Sequence, residues 1–264
     1  MLTYPEIDPV IFSIGALKIR WYGLMYIIGF VAAWWLAVRR SRQAWSPIST
    51  AQAEDLVFYG MIGVIAGGRI GYCLFYGFDE LLRDPLYLFR ITDGGMSFHG
   101  GLLGVVIAML VFSRRVKRKV WQITDFLAPL APIGLGTGRI GNFINGELWG
   151  KPTDLPWGFV VNGQVLHPSQ LYEALLEGLV LFLILWFYSA KPRPYMAVSG
   201  LFLLGYGIFR FAVEFVRVPD AHLSYLLAGW VTMGQILSLP MIVFGALMIY
   251  LGYTRYPVKG GQRK

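Results

Sequence analysis

Residues 134–150 read GLGTGRIGNFINGELWG, a glycine-rich run that closes an apolar segment. An ordinary membrane helix would continue with leucine, valine and phenylalanine. Here side chains are stripped away instead, which lets another backbone or a ligand come close. The same run sets Arg139, Asn142, Asn145 and Glu147 within nine residues at the rim of an apolar slab. A guanidinium at membrane depth is costly unless something pairs with it. An anionic ligand would supply that pairing. The plainer alternative is a glycine-rich helix end carrying interfacial polar residues.

Composition supports the slab. Hydrophobic residues make up 56% of the 264, charged residues only 14%, and the mean hydropathy is +0.56, so a soluble globule is excluded. The 32 glycines suit helices packed closely in lipid. With Cys73 the sole cysteine, neither an internal disulfide nor a cysteine metal cluster can form. The net charge of +8 would suit nucleic acid, but the basic residues fall in short loops between apolar runs, which argues for membrane topology and against nucleic-acid binding.

Seven runs are long enough to cross a bilayer, which takes ~20 residues. They cover about 21–38, 56–78, 96–112, 123–138, 171–188, 198–216 and 231–253. Residues 1–20 carry acidic residues and prolines and no basic leader, unlike a cleaved signal peptide. Pro129 and Pro132 break the fourth run and free backbone carbonyls at membrane depth. The expected fold is therefore all-α: a single polytopic membrane domain over 1–264, with seven transmembrane helices and a small polar cap at about 143–168.

Arginine and lysine crowd the ends of the first, third and fifth runs and the C-terminal tail. The positive-inside rule makes those ends cytoplasmic and puts the N-terminus and the cap outside. Other polar residues gather on that outer side. His99 lies among glycines at the mouth of the third run. Tyr206, Arg210, Glu214 and Arg217 are spaced to share one helical face. Tyr22 opens the first run at the same level, where an aromatic belt would also place a tyrosine. In this face Arg210 and Glu214 could simply neutralise each other. Arg69, between Gly68 and Gly71, has the look of a structural residue. Arginine forks match phosphate, and a lipid headgroup is the phosphate available at that depth. No HExxH, GxSxG or P-loop signature is present, and the motifs call for no metal or cofactor. Residue chemistry thus reaches an outward-facing site for an anionic lipid, compatible with an enzyme or with a lipid transporter or scramblase. The absence of an internal repeat speaks against the transporter.

Several segments resemble one family throughout. They are RWYGLMY (20–26), GGRIGYCLFY (67–76), DGGMSFHGGL (93–102), GRIGNFINGELWG (138–150), HPSQLYE (167–173) and GYGIFRFAVEFVRVPD (205–220). Together, in this order, they are similar to the signatures of bacterial prolipoprotein diacylglyceryl transferases. The resemblance implies a seven-span inner-membrane enzyme with its active site toward the periplasm. Such an enzyme moves the sn-1,2-diacylglyceryl group of phosphatidylglycerol to the lipobox cysteine of prolipoproteins and releases glycerol 1-phosphate, the first step of lipoprotein maturation. By motif, Arg139 would hold the phosphate with Arg210 as its essential partner, and His99 falls on the family's catalytic-histidine position. Tyr22, Asn142, Glu147, Gly150, Tyr206, Glu214 and Arg217 fall on its substrate-binding positions. The cap between Gly150 and His167 is short for the family, which bears on how prolipoprotein is recognised. The chemistry suits the residues. Arginines aimed at a departing phosphate favour the transition state, and the nucleophile is the substrate's own thiol.

Overall fold

A computed structural model describes residues 1–15, 17–90, 94–218 and 231–257. Its chain forms two compact units, Met1–Ala33 with Asp125–Lys264, and Trp34–Thr124. Among the described residues five helices are long and apolar enough to cross a membrane: α1 (Trp21–Ser41), α2 (Thr50–Phe75), α4 (Phe98–Arg115), the composite Ser169–Tyr188, and α10 (Met233–Arg255). A sixth apolar helix, α9 (Ala197–Val213), is shorter. Short α3 (Phe78–Arg83) lies between α2 and α4. The fourth run, expected to be broken at Pro129 and Pro132, is two helices, α5 (Val120–Leu127) and α6 (Ala131–Ile144). Pro129 cannot continue a helix in register, and Pro132 sits in the first turn of α6, where its missing N–H costs nothing.

Local chemistry sets the helix ends. Ser49 and Gln52 form a capping box on α2, and Thr232 and Gln235 form another on α10. The α4 N-terminus is held by Ser97, whose hydroxyl accepts from the Gly100 N–H. Arginines finish α1, α4 and α10, where the helix dipole favours positive charge.

In the Trp34–Thr124 unit, α2 and α4 meet backbone to backbone. A Cβ on Gly104 would lie 2.0 Å from the Gly63 carbonyl oxygen, and one on Gly67 2.3 Å from that of Gly100. Only glycine permits this approach, which replaces the hydrophobic effect as the adhesive between helices in lipid. Beside this seam Arg69 is buried and donates to four backbone carbonyls: Tyr87 (2.5 Å), Leu88 (3.1 Å), Gly94 (2.6 Å) and Gly95 (3.2 Å). Its guanidinium also faces the Tyr87 ring at 4.7 Å. Arg69 is structural, pinning the chain that leads into Ser97 and His99. Arg69→Ala is expected to lower stability by about 3 kcal/mol or more, since hydrogen bonds to charged groups contribute about 1.5–3 kcal/mol each. Hydrogen exchange over 84–97 would show it; unchanged protection there would contradict the role.

In the other unit, α9 runs against α10, and α6 against the composite helix. That helix consists of α7 (Ser169–Glu173), a π-helical stretch Ala174–Val180, and α8 (Leu181–Tyr188). A Cβ on Gly178 would meet the Gly136 Cα at 2.7 Å, so α6 and the π-helical stretch cross closely. Asp125 fixes the start of α9, accepting from the Met196 and Ser199 N–H groups at 2.8 Å each and from the Ser199 hydroxyl at 2.6 Å. Below the polar groups, Ala128, Leu181, Leu185 and Val198 form an apolar cluster with Tyr206 packed on it.

The all-helical expectation is corrected by two small sheets. Strands β2 (Val10–Ile14) and β3 (Leu17–Arg20) pair antiparallel before α1. In the cap, β4 (Phe159–Val161) and β5 (Gln164–Leu166) form a hairpin, and β1 (Leu2–Thr3) joins β4 in parallel. The hairpin turn is Asn162-Gly163, with φ of 49° and 78°, the positive pair a two-residue turn requires. Tyr4 follows β1 and locks the cap to α6. Its hydroxyl donates to the Phe143 and Ile144 carbonyls at 2.9 Å each, and its ring packs on Phe143 and Trp149. Burial first, then the Glu6 charge, raises the Tyr4 pKa, so the donor proton stays in place. Asp93, Pro219, Asp220 and the basic tail after Pro257 lie outside the described residues.

Candidate functional site: an arginine–glutamate cluster beneath the cap

Arg139 projects from α6 one turn beyond Gly136, the residue that brings α6 against the π-helical stretch. Its Nε lies 2.5 Å from Glu173 Oε2, and its Nη1 is 3.5 Å from Asn142 Oδ1. Asn142 donates to Glu147 Oε2 (3.2 Å), and Asn145 donates to Glu147 Oε1 (3.2 Å). One end of the cluster is thus built from a single helix and the turn after it.

Helix α9 and the turn after it supply the other end. Arg210 Nη1 lies 3.2 Å from Glu173 Oε2, and its Nη2 is 2.5 Å from Glu214 Oε1. Arg217 Nη1 donates to Glu173 Oε1 at 2.6 Å, and its Nε lies 3.2 Å from Glu214 Oε1. Glu214 rests over Gly234, where any Cβ would strike its carboxylate, and accepts from the buried Thr232 hydroxyl at 2.6 Å. Arg210 and Glu214 do pair, as the plainer reading held, but Arg210 is also shared with Glu173.

Glu173 is the centre. It is fully buried, and three guanidiniums from two elements converge on its two oxygens. The contacts at Oε2 are close as charges, yet neither Oε2 nor Arg210 Nη1 makes a hydrogen bond. Gln170 and Glu177, three residues before and four after, are also fully buried and share its helical face. Their terminal polar atoms have no partner. Among the described residues of this unit, the buried side-chain atoms lacking a hydrogen bond belong to Asn145, Gln170, Glu173, Glu177, Arg210 and Gln235, all in or beside the cluster. Buried polar groups are otherwise satisfied about nine times in ten. Such a concentration makes this cluster the candidate place for a polar ligand.

Charge gives the sign of that ligand. Among the described residues three guanidiniums make ion pairs with two carboxylates, those of Glu173 and Glu214, so the directly paired groups carry one positive charge in excess. The next carboxyl, Glu177, makes no ion pair with them among the described residues. A singly charged anion such as a phosphodiester completes the set.

The remaining expected residues take definite places. Tyr22, in the first turn of α1, packs on Gly141 of α6, and its hydroxyl is 3.2 Å from that of Tyr26. Gly150 bridges to Arg217 through the backbone; a Cβ there would lie 2.5 Å from the Val216 carbonyl oxygen, so glycine lets the cap approach the arginine. Tyr206 stands one turn before Arg210 on α9 and stacks on Phe202. His99 belongs to the other compact unit. It is exposed on the first turn of α4, edge-on to the Phe98 ring at 5.7 Å. His167, in the cap, has its Nδ1 3.2 Å from the Tyr172 hydroxyl; burial, then the Lys151 charge, lowers its pKa and keeps it neutral.

Glu173, Gln170 and Glu177 were not among the expected site residues, though all three interrupt an apolar run at helical spacing. That ridge was the signal.

Comparison with known proteins shows the family. Residues 9–251 match the family model described as prolipoprotein diacylglyceryl transferase. A phosphatidylglycerol–prolipoprotein diacylglyceryl transferase of Methylococcus capsulatus is 62% identical over 97% of this chain and 99% of its own. Proteins of the same name from Azotobacter vinelandii and Vibrio cholerae are each 59% identical, over 97% and 96% of this chain and 98% and 94% of theirs. With its arginine cluster, its apolar helices and this near-complete match, the chain belongs to the prolipoprotein diacylglyceryl transferase family.

Proposed function

We propose that this protein transfers the diacylglyceryl group of phosphatidylglycerol to the cysteine thiol of prolipoproteins, with glycerol 1-phosphate as the leaving group. The observation that carries the site assignment is the excess guanidinium charge around Glu173, surrounded by unpartnered buried polar atoms. In this reading Arg139 and Arg210 hold the phosphate. The thiol sulfur attacks the glyceryl carbon, the C–O bond breaks, and the electron pair leaves on the phosphate. Negative charge grows there, and arginines already oriented toward it stabilise the transition state more than the ground state. Asn142, Glu147, Glu214 and Arg217 orient the two arginines, Gly150 admits the cap, and Tyr22 and Tyr206 line the lipid site. The direct test mixes purified protein, phosphatidylglycerol and a lipobox peptide and looks for thioether-linked product. No product from a folded preparation would refute it.

His99 is proposed as the acceptor of the thiol proton. Its imidazole is exposed at a helix mouth and follows two glycines, Gly94 and Gly95, with φ near +80°. His99→Gln is expected to cut turnover by about 10²–10⁴, the usual contribution of a general base. Phosphatidylglycerol binding should change little. The deficit should shrink above about pH 8.5, where a thiol ionises unaided. An equal deficit at about pH 7 and about pH 9.5 would remove His99 from the proton transfer.

The orientation proposed is cap outward, toward the periplasm across a bacterial inner membrane, with the basic helix ends in the cytoplasm. A cysteine at Asn162, exposed in the cap hairpin, should be labelled by an impermeant reagent from outside, and one at Lys117 only from inside. The reverse pattern would invert the topology.

A further inference from the structure

Gln170 lies in the first turn of α7, fully buried, with neither Nε2 nor Oε1 hydrogen-bonded. An amide offers two donors and an acceptor, and leaving all of them unmade in an interior is costly. Standing three residues before Glu173, Gln170 is one helical turn nearer the cap than the carboxylate on which the guanidiniums converge. A phospholipid keeps its acyl chains at the depth of the apolar spans and its headgroup toward polar surroundings. With its phosphate at Arg139 and Arg210, the group attached beyond the phosphate falls at the level of Gln170.

We propose that Gln170 is a specificity-determining residue that recognises the hydroxyl groups of an uncharged, hydroxylated headgroup on the donor phospholipid. This rests on the proposed placement of the phosphodiester at the arginines. A hydroxyl both donates and accepts, and so does an amide, whereas an ammonium only donates. An ammonium headgroup would also sit beside Arg217, which contacts Glu173 at 2.6 Å, and would add positive charge where an excess already exists. The amide therefore selects for a neutral polyol where a carboxylate would admit a cation.

The test uses the full-length protein, a lipobox peptide and two donors with identical acyl chains, phosphatidylglycerol and phosphatidylmethanol. Both carry a phosphodiester; only the first carries headgroup hydroxyls. The wild type is expected to favour phosphatidylglycerol by at least about tenfold in kcat/KM, because a site built to bond a hydroxyl rejects analogues that lack it. Gln170→Leu should narrow that preference to within about twofold. The isosteric Gln170→Glu, which keeps the shape of the side chain, should raise the use of phosphatidylethanolamine relative to phosphatidylglycerol. Equal use of both donors by the wild type, or full preference retained in either folded variant, would overturn the inference. Arg139→Ala separates the two readings. It should lose both donors alike, and if it keeps both, the phosphodiester site itself is misplaced whatever Gln170 does.

Discussion

Arg139→Ala is expected to reduce diacylglyceryl transfer by about 10³-fold, at the upper end of what a single preorganised donor to a developing anion contributes. The reasoning starts from geometry. Nε of Arg139 is committed to Glu173, and Nη1 reaches Asn142 only at 3.5 Å, so one edge of the fork is held while the other stays available for a phosphate oxygen. Arg139→Lys keeps the charge but loses the planar fork and the tether, and should recover only part of the rate. Product formation by purified, folded variants measures both. An alanine variant that retains more than about a tenth of the rate would show that the phosphate lies elsewhere. Arg210→Ala should be comparably severe. If Arg210→Ala combined with Glu214→Ala is nearly normal, those two residues are a structural pair only.

The second large effect concerns Glu173. Glu173→Ala leaves Arg139 without its carboxylate contact, and Arg210 and Arg217 with Glu214 alone among the described residues. Breaking a buried ion pair from one side costs about 3–5 kcal/mol, because the remaining charge is left uncompensated. A substantial fall in Tm is expected, with transfer lost. Glu173→Gln preserves shape and a hydrogen-bond acceptor, so the protein should fold, but the arginines lose their common reference point. In that variant kcat should fall while the KM for phosphatidylglycerol stays the same or decreases, since the site has become more positive. Wild-type stability and rate in Glu173→Ala would mean that the arginines orient themselves without it.

Much of the helical layout was legible because hydropathy and basic punctuation report it directly. Trp21–Ser41, Phe98–Arg115 and Met233–Arg255 begin and end within a few residues of their apolar runs. The fourth run was harder. Its composition is apolar throughout, and only the proline pair shows that it is two helices rather than one. The cap hairpin carried a readable mark, Asn162-Gly163, yet an all-helical frame absorbs it as loop. On the site, Arg139, Arg210, Glu214 and Arg217 were visible as charges where charge is expensive. Glu173 was harder to see because its meaning is not local. A glutamate near a helix start passes as an ordinary first-turn acid, and only the convergence of α6 and α9 makes it the common anchor. Gln170 and Glu177 were obscured for the same reason, each unremarkable until its neighbours are known to leave it unpartnered.

The π-helical stretch Ala174–Val180 has a consequence for how this helix tolerates change. Each π-turn takes one residue more than an α-turn, and single π-turns recur at functional sites. The stretch therefore works as a phase shifter between two faces on one rod. Upstream, Glu173 meets the arginines; downstream, Leu181 and Leu185 point into the apolar cluster. A uniform α-helix would couple those directions rigidly, so any adjustment of the lipid site would rotate the greasy half as well. With the change of pitch between them, the two halves keep separate registers. Removing one residue there should disturb one half and spare the other, whereas the same deletion in α8 would dislocate the packing without correcting the phase.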